Sequence, residues 1–227
     1  DEALKLHRKA LDIEIKHHGP GHSSVGITCN FLGSVFYRKG EYDKAFDYYQ
    51  RCLAIYTKQL GADHYRVAIV YAWIGELHRA KGDYAQALDS HRKALAISID
   101  KFGLWHFQVA ASYNNIGLVY RTMGAHAEAL KFYQKSLSIK LEKLGQDHPE
   151  LAVSYAGIGE IFYAKGDYGM ALKFQLKAQA INLKTKGLDH PDVARSYVGI
   201  GLVNNAIGEH DKALEFYQKS AAARLKH

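Results

Sequence analysis

The sequence predicts an all-α protein, a superhelical solenoid of antiparallel helix pairs. Three observations carry that expectation: small residues recur every 42 positions, apolar residues within each interval follow helical spacing, and period-two alternation is absent. Gly19, Gly61, Gly103, Gly145 and Gly187 are each 42 residues apart, as are Gly33, Gly75, Gly117, Gly159 and Gly201. Gly40, Gly82, Gly124, Gly166 and Gly208 keep the interval, and so do Ala45, Ala87, Ala129, Ala171 and Ala213. The 227 residues hold about 5.4 such intervals, so a length that suggests one or two globular domains reads instead as a linear array.

Each interval reads as two amphipathic helices. Tyr113, Ile116, Gly117 and Tyr120 place apolar or small residues at i, i+3, i+4 and i+7, and Ala129, Leu130, Tyr133 and Leu137 repeat the pattern after a break. The break within an interval, Lys81-Gly82-Asp83-Tyr84, puts a cation in the last turn and a glycine able to take the left-handed terminating conformation. Asp83 is then expected to cap the following helix, with Gln86 completing a capping box. The break between intervals, Leu144-Gly145-Gln146-Asp147-His148-Pro149-Glu150, predicts an Asp147 cap, a first-turn proline and an acidic residue facing the helix dipole. Ala3 lies 42 before Ala45, so residues 1–18 are expected to be the trailing helix of a preceding unit. Five pairs follow at 22–60, 64–102, 106–144, 148–186 and 190–226 in a single array, read as a fragment of a longer one. Ala221-Ala222-Ala223 replaces large apolar residues in the last helix, as at an end with no neighbour to cover.

Composition bounds the function. A 48% hydrophobic content with three prolines describes an ordered, core-forming chain. The charge of +7 comes from 30 Lys+Arg against 23 Asp+Glu scattered without long like-charge runs, which does not read as a nucleic-acid arm. With two cysteines and no leader pattern, a reducing, cytoplasmic compartment is the expectation, and no stretch of 18 uninterrupted apolar residues spans a bilayer.

No motif for catalysis is present: there is no phosphate-binding G-x-x-x-x-G-K-[ST], no H-E-x-x-H and no G-x-S-x-G. The expectation is a chain with no enzymatic activity, cofactor or metal. His22, His64, His106, His148 and His190 share one turn of successive units, and two helix widths of ~10 Å each keep neighbours too far apart for one ion, so packing and capping of the turn is the expected role. Cys29 and Cys52 fall at packing positions and are expected to be buried, inert thiols. Trp105 lies in an inter-unit turn, either as an exposed contact or wedged between helices, and Trp73 lies on a first helix.

The small residues Gly33 and Ala45, surrounded by Phe36, Tyr42 and Tyr49, resemble the knob-and-notch pattern of the tetratricopeptide repeat, whose standard unit is ~34 residues. The longer unit, with L-G-x-D-H-P-x-[VL]-A from Leu144 to Ala152 and K-G-[DE]-Y-x-x-A-L from Lys165 to Leu172, resembles the repeats of kinesin light chains and their relatives. The resemblance covers essentially the whole chain, and the segments 17–22 and 102–106 depart from the capping pattern. It implies a right-handed superhelix and a cargo-binding adaptor or scaffold, with a kinesin heavy chain or other chains of a complex among the partners.

The first helix of each pair is expected to line a concave groove. Helical geometry puts Asn30, Tyr37, Arg38, Trp73, Arg79, Asn114, Asn115, Leu118, Arg121, Tyr163, Arg195 and Asn205 on that face. Asparagines offer the paired donor and acceptor that a peptide backbone needs. Arg38, Arg79, Arg121 and Arg195 outnumber Glu76 and Glu160, which favours a segment bearing carboxylates, each good charge-assisted contact being worth ~1.5 to 3 kcal/mol. Tyr37, Trp73, Phe31 and Tyr163 are candidate anchors for apolar side chains. The Asn114-Asn115 pair matches the paired asparagines that kinesin-light-chain repeats use on cargo peptides. The expected function is non-catalytic binding of a partner protein's short, acidic segment. The alternatives are a regulatory or sensor array of a larger multidomain protein, a self-associating scaffold and, least favoured by the thin arginine stripe, an RNA-binding solenoid.

Overall fold

The computed structural model describes residues 2–225, so the last residue of the expected 190–226 pair lies outside the described residues. Those residues form eleven α-helices and no strand, and none of the helices is long and apolar enough to cross a membrane. The chain divides within one helix into two compact units, Asp1–Val119 and Tyr120–His227.

The first unit contains α1 (Glu2–His18), α2 (Ser23–Arg38), α3 (Tyr42–Leu60), α4 (Tyr65–Lys81), α5 (Tyr84–Phe102) and most of α6 (Phe107–Thr122). Here α2 packs on α3 and α4 on α5 as antiparallel pairs, while α1 packs on α2 and α3 on α4 between repeats. Its core joins Leu11 of α1, Val25, Cys29, Leu32 and Phe36 of α2, Ala45, Tyr49 and Cys52 of α3, and Val67, Val70, Ile74 and Leu77 of α4. The expected small-against-aromatic contact is present: a β-carbon on Gly33 would stand 2.5 Å from the Tyr49 ring, so only glycine lets α2 and α3 approach this closely. Both cysteines are fully buried. Burial pushes the Cys29 thiol up and the Cys52 thiol to about 12, as expected of inert thiols.

The second unit holds the end of α6, α7 (His126–Leu144), α8 (Glu150–Ala164), α9 (Tyr168–Lys186), α10 (Pro191–Ala206) and α11 (His210–Leu225). α8 packs on α9 and α10 on α11, with α7 on α8 and α9 on α10 between repeats. Leu151, Ala152, Tyr155, Ala178 and Ile181 form one core cluster, and Ala129, Tyr133, Ile158 and Ile161 another. Of the alanine run in α11, Ala223 is buried.

Glycine and histidine together make the turns between repeats. Gly103 adopts φ 77° and ψ 165°, a region that is sterically closed to residues with a β-carbon, and its equivalents follow it. Three residues further on, the histidine is the cap: the Nδ1 atoms of His22, His64, His106, His148 and His190 accept the N–H two residues ahead at 3.1–3.3 Å. This corrects the assignment of the cap to Asp147, whose carboxylate instead pairs with Lys184 at 2.6 Å. Within repeats, Asp83 stands at the N-cap of α5 without accepting a backbone N–H and lies 3.6 Å from His78 Nδ1, so the capping box with Gln86 does not form. Asp167, at the same repeat position, does cap, accepting from the Met170 N–H at 3.1 Å.

Candidate functional site

The first-helix positions singled out in the sequence face solvent. On α2, Ile27, Phe31 and Arg38 are exposed and Asn30, Ser34 and Tyr37 half-buried; on α4, Ile69 and Trp73 are exposed and Glu76 and Arg79 half-buried. Phe31 and Trp73 occupy the same position of successive repeats and rest on the same partner position of the preceding second helix. Phe31 stacks on His7 with centroids 5.4 Å apart, and Trp73 on Tyr49 at 6.4 Å. Each ring keeps its outer side in water, Phe31 at 51% and Trp73 at 39% exposure. Asn114, Asn115 and Leu118 lie half-buried on α6.

Between α2 and α4 lies a polar cluster centred on Glu76. The Tyr37 hydroxyl donates to Glu76 Oε1 at 3.0 Å, and Arg79 donates from Nε to Oε2 at 2.8 Å and from Nη2 to Oε1 at 2.6 Å. Burial and then the Glu76 charge push the Tyr37 phenol up to about 12. Burial works against the ionised Glu76 carboxyl, but the bidentate Arg79 and the Tyr37 hydroxyl outweigh it and hold the group below the usual range. Asn30 has a buried Oδ1 with no partner.

In the second unit, Arg121 pairs with Glu160, Arg195 lies 3.4 Å from Asp192, and Tyr163 is half-buried with its ring 5.7 Å from Tyr168. Asn205 is exposed and its Oδ1 is 3.0 Å from His210 Nδ1. Val153 and Leu202 are exposed apolar residues on the same faces.

The arginine excess read from the sequence is thereby mostly neutralised: among the described residues, Arg79, Arg121 and Arg195 each meet a carboxylate and Arg38 makes no ion pair. Sequence reasoning placed Glu76 on the face but missed its role as the hub of Tyr37 and Arg79. It also missed Asp192, which takes Lys186 as well as Arg195. A salt-bridging carboxylate three residues before an arginine on one helix was the available signal in both cases. Among the described residues, no group of three or more His, Cys, Asp or Glu is placed to hold a metal ion.

Helix pairs with glycine-notched packing and solvent-facing first helices define a class of helical repeat protein. The tetratricopeptide repeat pattern matches residues 1–58, 24–100, 108–184 and 157–226, and the chain belongs to that family. No curated protein sequence matches it. Solved structures share the fold at low identity. BtubC (BKLC) of P. vanneervenii is 19% identical, with TM-score 0.76 over 99% of this chain and 88% of its own. A kinesin-light-chain-like protein of Podosopora anserina with nearly identical TPR-like repeats is 21% identical, with TM-score 0.69 over 90% of this chain and 97% of its own. The Rap conjugation regulator of plasmid pLS20, solved with the Phr* peptide, is 17% identical with TM-score 0.75, and the match spans 90% of this chain and 55% of the regulator.

Proposed function

We propose that the chain is a non-catalytic adaptor whose first helices hold a segment of a partner protein. The observation that carries this reading is the row of large apolar side chains left in water at matching positions of successive first helices: Ile27 and Phe31 on α2, then Ile69 and Trp73 on α4. A fold does not need such residues there, and apolar surface beside hydrogen-bonding groups is what a bound chain segment covers. Asn30, Tyr37, Arg38, Trp73, Arg79, Asn114, Asn115 and Leu118 form the binding face of the first unit, and Arg121, Tyr163, Arg195 and Asn205 that of the second. The asparagines serve the segment's backbone and the aromatic rings its apolar side chains. A carboxylate on the segment meets Arg38, which makes no ion pair among the described residues. The family supports the reading, and so does the Rap regulator, a protein of similar fold solved with a peptide.

The test is selection of binding peptides from a random display library, followed by Trp73→Ala and Asn114→Ala. Each is expected to weaken the selected peptide about tenfold or more, about 1.4 kcal/mol, measured at a temperature where both variants are fully folded, because Trp73→Ala also gives up the stacking on Tyr49. Binding that survives both variants would sink this assignment.

A further inference from the structure

The outer sides of the second helices differ in charge from repeat to repeat. At two positions four residues apart, α3 holds Asp47 and Arg51, α5 holds Asp89 and Lys93 in an ion pair of 2.7 Å, and α11 holds Glu215 paired with Lys219. On α7 and α9 the acidic member is replaced, leaving Lys131 with Lys135 and Lys173 with Lys177. α1 does the same with Lys5 and Lys9, but α7 and α9 are successive second helices that share it. A further carboxylate is missing beside them. Lys81 pairs at 2.8 Å with Asp43 at the start of α3. Two repeats further on, Lys165 keeps the cation while the start of α7 has Ala127 in place of the aspartate.

All five lysines are exposed, and among the described residues no carboxylate pairs with Lys131, Lys165, Lys173 or Lys177. Lys177 Nζ lies 5.3 Å over the Tyr155 ring and Lys135 Nζ 5.6 Å over Phe132, so rings beneath hold two of the ammonium groups in place. α7 and α9 stand on a shared core: Phe174 of α9 packs against the Ala129 and Tyr133 cluster, and Leu137 and Leu141 of α7 against Ala178 and Ile181. Their outer sides therefore form one basic strip within the second unit. Like charges four apart destabilise a helix, so the fold gains nothing from exchanging an ion pair for two lysines. A local rule broken without compensation inside the chain points to a partner outside it.

The strip is short. Glu128 and the Glu142–Lys143 pair flank it on α7, Asp167 and the Lys184–Asp147 pair on α9, and Asp211 with the Glu209–Lys212 and Glu215–Lys219 pairs on α11. A long or planar polyanion would run over these carboxylates. The strip also lacks arginine forks for phosphates and exposed rings for bases. Leu176, 42% exposed beside Lys173 and Lys177, adds an apolar contact. We infer that this strip is a docking surface for a short acidic helix of another protein. Carboxylates at i and i+4 of that helix match the spacing of Lys131 with Lys135 or of Lys173 with Lys177. The surface lies on second helices and does not depend on the first-helix face.

The probe is a fluorescein-labelled, alanine-based helical peptide with glutamates four residues apart, followed by anisotropy beside its glutamine counterpart. The glutamate peptide is expected to bind the chain at least about tenfold more tightly, and to weaken by a similar factor as NaCl rises from about 0.05 to 0.5 M. Lys131→Asp and Lys173→Asp each install the residue found at position 89. Each restores an ion pair with Lys135 or Lys177, so the melting temperature should not fall, while the probe should weaken about threefold or more. Lys5→Asp makes the same change of charge on α1 and should leave the probe unaffected, as should Trp73→Ala on the first-helix face. A probe that binds no better than its glutamine counterpart overturns the inference. So does equal weakening by Lys5→Asp, which would trace the attraction to the net charge of +7, and weakening by Trp73→Ala, which would move the probe to the other face. Tighter binding of an oligouridine or of phosphatidylserine vesicles, lost on Lys131→Asp, also overturns it and assigns the strip to a polyanion.

Discussion

The His91 imidazole on α5 lies so close to Gly75 on α4 that a β-carbon there would stand 2.7 Å from ring Cε1. The same pair of repeat positions holds Gly33 against Tyr49 and Gly201 against Tyr217, so in these three pairs the first helix is seated on its second helix through one missing side chain. His91 is fully buried and has no room to withdraw. Gly75→Ala is therefore expected to destabilise the chain by about 1–3 kcal/mol, the usual cost of overpacking, despite the gain in helix propensity. Urea denaturation measures it. Combining it with His91→Ala should cost less than the sum of the two single changes, because the second removes the atoms that the first collides with.

His91 also makes stability depend on pH. Both ring nitrogens are buried without a hydrogen-bond partner. Burial lowers the pKa to about 4, against the partial pull of Glu76 in the other direction. The folded value lies below the ordinary 6.5, so on acidification the unfolded chain takes up a proton that the folded chain refuses. This stability is complete above pH 6.5 and is lost as the pH falls through 6.5 towards 4, on the order of 3 kcal/mol over the whole interval. His91→Tyr, which installs the residue found at 49, 133 and 217, should flatten the slope of unfolding free energy against pH in that window. An unchanged slope would mean that other groups carry it.

The repeat was legible because it is periodic: the 42-residue spacing of glycine and alanine fixes where helices stop and which faces touch, and the packing of Gly33 on Tyr49 follows from it. The caps were only half legible. Asp83 and Asp167 occupy the same repeat position, yet one is drawn towards His78 and the other caps its helix, a choice set by the residue across the turn. The charge of the candidate face was misread for a related reason. Counting arginines along helices says nothing about which rotamers meet across them, and Tyr37 finds Glu76 only because two helices 39 residues apart in sequence lie side by side.

The histidine caps make a graded prediction. His64 ends its turn in extended conformation at φ −77° and ψ 140°, and its Nδ1 takes the Arg66 N–H that α4 would otherwise leave unbonded. His64→Ala should cost about 1 kcal/mol in thermal or chemical denaturation. His64→Asn, whose side-chain oxygen reaches the same donor, should recover most of that loss. If alanine and asparagine are equally destabilising, the imidazole acts through its 4.6 Å contact with the Tyr65 ring rather than as a cap.

Glu76 decides how much positive charge the first unit offers a ligand. Its carboxylate occupies two donors of Arg79 and the Tyr37 hydroxyl, and the pair is partly open to solvent, so Glu76→Gln should reduce stability by no more than about 1 kcal/mol. The functional effect should be larger. Without the carboxylate the Arg79 guanidinium is free for an incoming anion, so a peptide bearing Asp or Glu should bind the variant more tightly than the original chain, while its Asn and Gln counterpart should not. The phenol of Tyr37 reports the same change independently. Burial, the main cause of its rise to about 12, remains, but the repulsion between phenolate and carboxylate disappears, so its titration should move down while staying above the ordinary 10. Titration of Cζ-labelled tyrosine by NMR reads this directly. A tyrosine that does not move on Glu76→Gln would show that the contact between α2 and α4 does not persist in solution.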